Sequence, residues 1–376
     1  MNALNRVLDV VKKNAMVVAL IAALLFFQIL MAVMSKGSLL SPMNITNLIA
    51  QNAYVIILAV GMLLCITSSG NIDLSVGSTV VLVAAIVGTV VVTWHLPVGL
   101  GIAVGLLTGI AIGAWQGLWI AYVRIPAFIV TLAGMLLFRG IAWIILNGLT
   151  ISPFPQSFNS IFGGYLPSPG FLTNASTGFI KALNTFAMRN PGNFISNFVL
   201  NNQISGKALF LTLIIAVIAA ASFLVSQIVS RRRQKKAGAQ VGNEIGFLFK
   251  TVGLAVLMLL FGLLVGLWQG ISTVLVIIIV IIAVYSYLTQ RTVPGRHIYA
   301  MGGNEKAAKL SGVNTNRLLF LAYTNMGFLA AVAALVCLGR FNSAMPSLGD
   351  GYELDAIASC FIGGASAFGG IGRVSG

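Results

Sequence analysis

Long apolar runs separated by short polar connections dominate this chain. Many of the runs approach or exceed the roughly 18–20 residues that an α-helix needs to cross a lipid bilayer. We therefore predict an all-α fold, a polytopic transmembrane helix bundle forming a single domain over residues 1–376. Nine to ten spans are predicted, at about 15–35, 49–67, 75–94, 98–122, 126–147, 208–230, 247–266, 271–289 and 317–339, with a tenth beginning near 354.

Composition and charge support a membrane protein and give it an orientation. The chain is 58% hydrophobic and has only 7 acidic residues, too few for a water-soluble surface. The net charge of +15 lies in short connections between apolar runs, which the positive-inside rule explains better than nucleic-acid binding does. We therefore predict a cytoplasmic N-terminus, an outer loop insertion at 148–207, and cytoplasmic connections at 231–246 and 290–316.

The connection at 290–316 has an internal pattern of its own. Asn304 is placed to cap a helix that begins at Glu305, and Gly312 is a natural helix end. Glu305 and Lys309 have the spacing of a helical ion pair. A helix of about two turns is too short to be stable alone in water, so it needs either the end of the bundle or a groove on a partner. The residues alone leave a solvated connector and a docking element equally open.

Two features inside the apolar region indicate packing or a polar path. Five glycines recur every four residues, so they share one helix face and favour close helix packing: Gly101, Gly105, Gly109, Gly113 and Gly117. Asp73 and Ser75, between two spans, either cap a turn or line a translocation path. Arg139 either extends towards the membrane surface or faces that path.

No catalytic or cofactor-binding pattern is apparent. The one Gly-Lys pair, Gly206-Lys207, is followed by Ala208 and lacks the first glycine of an ATP-binding loop. His95 and His297 lie far apart in the chain, and we expect no metal site, no cofactor and no enzymatic activity. The scarcity of acidic residues in the spans also argues against proton coupling.

Four ordered blocks resemble one transporter family. They are Pro294–Val313, Ala59–Met62 with Asn71–Ser78, Ile125–Leu132 with Phe138–Gly140, and Tyr352–Gly364. Together they resemble the monosaccharide ABC-transporter permeases, the group that holds the ribose, galactose and xylose permeases. The apolar pair near 208–230 and 247–266 is similar to an extra pair in the longer xylose-type and multiple-sugar permeases.

The resemblance implies a permease subunit that moves a monosaccharide, xylose or a related aldose first, across the bacterial cytoplasmic membrane. It implies a second permease copy, a separate cytoplasmic ABC ATPase and an extracytoplasmic sugar-binding protein as partners. The helix that docks in the ATPase would be Asn304, Glu305, Lys306, Ala307, Ala308, Lys309, Leu310, Ser311 and Gly312. For a neutral sugar, residue type adds Trp115, Gln116, Thr131 and Asn147 to Asp73, Ser75 and Arg139 as pathway candidates.

Two points qualify this interpretation. The chain ends at Gly376 in a glycine-rich stretch where the family continues through about two more spans, so we expect C-terminal spans to be missing. Two other functions fit the same apolar pattern: a stand-alone secondary sugar transporter and a non-transporting membrane scaffold. A requirement for an ATPase in reconstituted uptake would exclude the first, and a neighbouring ATPase gene would disfavour the second.

Overall fold

The computed structural model describes residues 15–34, 38–191, 193–201, 204–238 and 244–376. Every regular element in these ranges is a helix, which confirms the all-α class. In chain order the helices are α1 Ala15–Val33, α2 Pro42–Gln51, α3 Ala53–Ser69, α4 Val76–Gly88 (extended by a π-helical turn, Thr89–Thr93), α5 Val98–Ala121, α6 Ala127–Leu146, α7 Gln156–Phe162, α8 Gly170–Arg189, α9 Phe194–Asn201, α10 Leu209–Lys236, α11 Glu244–Leu267, α12 Thr273–Arg291, α13 Val293–Gly303, α14 Glu305–Leu310, α15 Thr315–Phe341 and α16 Tyr352–Ile362.

Eight helical stretches in the described ranges are long and apolar enough to cross a membrane. They are Pro42–Ser69, Val76–Thr93, Val98–Ala121, Ala127–Leu146, Leu209–Lys236, Gly246–Leu267, Thr273–Arg291 and Thr315–Phe341. Each corresponds to one predicted span. The helix α1, Ala15–Val33, also contains an apolar stretch, Val18–Met31.

Two predicted segments differ from the structure in detail. The tenth predicted span forms α16, whose 11 residues extend only about 16 Å. This helix ends at Gly363-Gly364, where Gly364 has a φ of +88° that breaks the helical path. In its described residues, the insertion predicted at 148–207 contains the helices α7 to α9, so these parts are more ordered than their polar composition indicates.

The chain divides into two compact units, and the first comprises residues 1–48 and 165–272. Its long helices α10 and α11 pack side by side, with Gly262 against Ala216. A small core joins α8, α9, the start of α10 and the end of α11. Its buried residues are Ile180, Ala187, Val199, Ile204, Leu209 and Leu267. At the other end of the pair, Lys235 Nζ lies 2.6 Å from Glu244 Oε1.

The second unit comprises residues 49–164 and 273–376 and is built around α15. This helix packs against α3, α4 and α5, and its side chains form much of the main hydrophobic core. Of the eight spanning stretches, only the π-extended α4 is more completely buried than α15. A helix surrounded by other helices can carry small and weakly polar residues, because few of its side chains face lipid.

The glycine face of α5 allows this close packing. Gly109, Gly113 and Gly117 lie against the α15 backbone, and a Cβ at Gly109 would collide with the Gly327 carbonyl. Gly101 and Gly105 instead receive the side chains of Val91 and Val87. The five glycines thus place α5 between α15 and the α4 end, where van der Waals contacts between backbones stabilise the unit.

Candidate functional site

The short helix α14 projects from the second unit with most of its surface free. Asn304 Oδ1 accepts a hydrogen bond from the Ala307 amide at 3.0 Å, so a side-chain cap begins the helix. Ser311 N donates to Ala307 O at its end, and Gly312 follows with a φ of +81°. Ala308 is buried, whereas Leu310 is 90% exposed. The helix is therefore held through its cap and one alanine.

The first residue of α14 is held by a partner from another part of the sequence. Arg124 Nη1 donates to Glu305 Oε1 at 2.9 Å, and Arg124 Nη2 also donates to Asn316 Oδ1. The Arg124 hydrogen bond is the main cause that holds the pKa of Glu305 below its usual value. The ion pair of Glu305 is thus with Arg124 rather than with Lys309, its predicted helical partner. Lys306 and Lys309 are exposed.

A chain of buried polar groups links α5 to the turn between α3 and α4 in the second unit. Gln116 Nε2 donates to Ser75 Oγ at 2.6 Å, and Ser75 Oγ donates to Asp73 Oδ1 at 2.7 Å. Ser75 N also donates to Asp73 Oδ1 at 2.9 Å. All three residues are at most 2% exposed. A Cβ at Gly134 would meet Gln116 Nε2, so this glycine on α6 makes room for the chain.

Asp73 lies in the turn before α4, and its surroundings alter its acidity. Burial raises the pKa of Asp73 to about 6, because removal from water disfavours the carboxylate. The two Ser75 hydrogen bonds act in the opposite direction, since they stabilise the charged form. The carboxyl group is therefore closer to neutrality at physiological pH than a solvated aspartate.

Arg139 connects α6 to α4 and to the connection after α15. Its Nη1 donates to Asp350 Oδ1, its Nη2 to Gly349 O at 3.2 Å, and its Nε to Ser78 Oγ at 3.4 Å. The backbones of Gly77 and Gly349 approach closely at this point. Glu353 Oε2 is buried nearby without a hydrogen-bond partner, and burial raises the pKa of this glutamate. Arg139 therefore contacts protein groups of α4 and of the connection after α15.

The remaining pathway candidates lie elsewhere. Thr131 is fully buried and contacts the carbonyl of Phe128 on its own helix at 3.4 Å. Trp115 is 42% exposed, with its ring near those of Trp119 and Phe138. Asn147 is an exposed cap at the end of α6, with a φ of +51°. The structure thus brings Asp73, Ser75 and Gln116 together and leaves Trp115 and Asn147 outside that chain.

Four residues of these sites were not singled out as site residues from sequence. Arg124, Asp350 and Glu353 acquire their roles through contacts between distant parts of the chain, and Gly134 through the absence of a side chain. The sequence holds one signal that could have identified the two acidic residues. Asp350 and Glu353 are two of only 7 acidic residues in the chain, and both follow a long apolar run. When an apolar chain has few charged residues, each of them is a candidate for a functional role.

These features define a class: a multi-pass membrane protein with a polar chain buried among its helices and a short helix projecting from one end. The family comparison agrees. Residues 44–372 match the family described as branched-chain amino acid transport system / permease component. The chain belongs to this family of permeases.

Individual relatives are similar over most of their length. The xylose transport system permease protein XylH of Escherichia coli (strain K12) is 35% identical over 96% of this chain and 80% of the relative. XylH of Haemophilus influenzae is 33% identical over 96% of this chain and 84% of the relative. The ribose import permease protein RbsC of Haemophilus influenzae is 31% identical over 89% of this chain and 72% of the relative. No solved structure gave a significant match.

Proposed function

We propose that this chain is the membrane-spanning subunit of an ABC importer that moves a monosaccharide into the bacterial cytoplasm. Xylose or a related aldose is the first candidate substrate, because the xylose permeases match over 96% of the chain and the ribose permease over 89%. The spanning helices α10 and α11 correspond to the apolar pair that resembles the extra pair of the longer permeases. The importer acts in the cytoplasmic membrane.

Energy comes from a separate ABC ATPase that receives the coupling helix, residues 304–312. The observation that carries this proposal is Leu310, which is 90% exposed on this helix. A single apolar side chain at the end of a capped helix is suited to a groove on a partner. Lys306 and Lys309 flank it on the same exposed surface and suit an acidic rim.

The other partners follow from the same assignment. A second copy of the permease completes the pathway, and an extracytoplasmic sugar-binding protein delivers the substrate. The helical insertion at 148–207 supplies an outer surface for that delivery. Inside the bundle, Asp73, Ser75 and Gln116 provide hydrogen-bonding groups, which suit a path for an uncharged polyhydroxyl compound.

The docking proposal is tested by the Leu310→Asp variant. We expect it to lose co-purification with the ATPase at least tenfold, because a carboxylate cannot enter an apolar groove without desolvation. Leu149→Asp is the matched control, since Leu149 is also exposed, at 69%, but lies at the predicted outer end of α6. Equal retention of the ATPase by both variants would contradict the docking assignment.

The transport proposal is tested by reconstitution. The permease in proteoliposomes should take up radiolabelled xylose only when the ATPase, ATP and the sugar-loaded binding protein are all present. Uptake by the permease alone would establish a secondary transporter. Absence of uptake of xylose, ribose and galactose by the complete complex would remove the monosaccharide assignment.

A further inference from the structure

The turn between α5 and α6 contains a side chain that reaches the coupling helix. Arg124 donates through one terminal nitrogen to Glu305 at 2.9 Å and through the other to Asn316. Glu305 begins the coupling helix and Asn316 lies in the first turn of α15. A guanidinium that donates in two directions is fixed more firmly than a single charge contact, because its donors form a rigid plane.

The backbone at Arg124 adopts a conformation that is unusual for an arginine. Arg124 has a φ of +66°, in the left-handed region where glycine is favoured and other residues are strained. The turn is tight, since Ile125 N donates to Trp119 O at 3.2 Å. Strained non-glycine residues are concentrated at functional positions, where the side chain is needed in that place.

The ion pair lies beside a cavity. A space of about 400 Å³ separates this part of the coupling helix from the residues that lead to Asp73, and its lining includes Ser69, Asn71 and Phe128. Arg124 and Glu305 also line it. The coupling helix is therefore not packed against those residues here, and the Arg124 side chain bridges part of the gap.

The two helices joined at Arg124 both contact the buried polar chain. Gln116 on α5 lies about 8 Å before the end of the helix at Ala121, and Arg124 follows in the turn; Gln116 also donates to Ser75. Gly134 on α6 packs against the same Gln116 and Ser75 side chains. A displacement of the α5–α6 turn would therefore be felt where Asp73, Ser75 and Gln116 meet.

We propose that Arg124 is a positioning residue that transmits displacement of the coupling helix to the α5–α6 pair, and through that pair to the buried polar chain. The proposal rests on the proposed function, because it takes residues 304–312 as the docking element. This role differs from docking, because Arg124 acts after the ATPase is bound. Replacing Arg124 should therefore leave ATPase binding intact and reduce stimulated ATP hydrolysis.

The experiment uses the complete complex in lipid nanodiscs with xylose-loaded binding protein. Arg124→Glu should keep co-purification with the ATPase within twofold of wild type but reduce sugar-stimulated ATP hydrolysis at least tenfold. Arg124→Lys keeps the charge without the planar geometry, so its sugar-stimulated ATP hydrolysis should lie between those of wild type and Arg124→Glu. The double variant Arg124→Glu with Glu305→Arg should recover stimulation to within threefold of wild type, because the ion pair is restored in reverse.

Arg317→Glu is the matched control, since Arg317 is an exposed neighbour of Asn316 and undergoes the same charge change. Its stimulation should match wild type. Full stimulation in Arg124→Glu, or no recovery in a double variant that still co-purifies with the ATPase, would overturn the proposal. Loss of ATPase binding in Arg124→Glu would also overturn it, because Arg124 would then belong to the docking surface. Failure of wild type to bind the ATPase would instead remove the proposed function.

Discussion

The buried polar chain and the contact between Arg124 and Glu305 use similar groups in opposite surroundings. In the first, Asp73 is 2% exposed and accepts two hydrogen bonds from Ser75. In the second, the side chains of Arg124 and Glu305 are 43% and 48% exposed. Burial raises the pKa of Asp73, whereas the hydrogen bond from Arg124 lowers the pKa of Glu305.

The contrast separates what holds the bundle together from what can move. A buried polar group without its partner costs about 1–3 kcal/mol, so the Asp73 chain is costly to disturb. An exposed ion pair contributes roughly 0–1 kcal/mol and can be exchanged for water. The buried chain therefore favours a fixed structure, and the exposed pair can form or separate at little cost. Three changes test this difference, beginning with the largest expected effect.

The greatest loss of stability is expected from filling the space beside the buried chain. Gly134→Leu would push a side chain into Gln116 and Ser75, combining overpacking with a disrupted hydrogen bond. We expect destabilisation of about 2–4 kcal/mol, seen as a lower melting temperature and as aggregation in size-exclusion chromatography in detergent. Gly140→Leu, on the same helix with no atom near its Cβ position, should behave as wild type. Equal stability of the two variants would show that the chain is loosely packed.

A smaller, pH-dependent effect is expected from Asp73→Asn. Burial raises the pKa of Asp73 from 3.8 to about 6, so ionisation is more difficult in the folded protein than in the unfolded one. Its contribution to stability is therefore full below about pH 4 and is lost as pH rises through about 6. The melting temperature of wild type should fall relative to Asp73→Asn over this interval. A constant difference between them from pH 4 to pH 7 would contradict a buried carboxyl group.

The smallest effect on stability is expected at the exposed pair. Arg124→Gln and Glu305→Gln should each change the unfolding free energy by less than about 1 kcal/mol, because water replaces the lost contact. Melting temperatures in detergent at low and at 0.5 M salt would measure this. A loss as large as that of Gly134→Leu would show that the pair is a structural element, and the contrast between the two regions would not hold.

Particular residues show how far the sequence alone could go. The apolar runs predicted the α-helical class because a spanning helix has a minimum length and excludes charge. Asn304 was recognisable as a cap, since an N-cap needs only its own next three residues. The partner of Glu305 was not recognisable, because Lys309 lies within helical reach while Arg124 is 181 residues away in the chain. Local rules favour the nearer partner, and the structure has the distant one.

The tenth predicted span is another feature that the sequence alone did not predict correctly in length. Hydropathy continues beyond 354, but the helix stops at Ile362, because Gly364 shortly after it has a φ of +88° in the left-handed region. The insertion predicted at 148–207 is a second case. Its average composition is polar, but residues such as Ile180 and Ala187 pack into a small core. Average hydropathy does not record which side of a helix is buried.

Features that depend on residues close together in the chain were predictable: the class of protein, the position of most spanning helices and the beginning of helix α14. They follow from run length, charge placement or capping. The folded structure was needed to show that Gln116 meets Ser75, that Arg139 contacts Asp350, and that Arg124 contacts Glu305. Those contacts join residues 41 to 211 positions apart. The first two lie where glycines leave room for the backbones to approach closely.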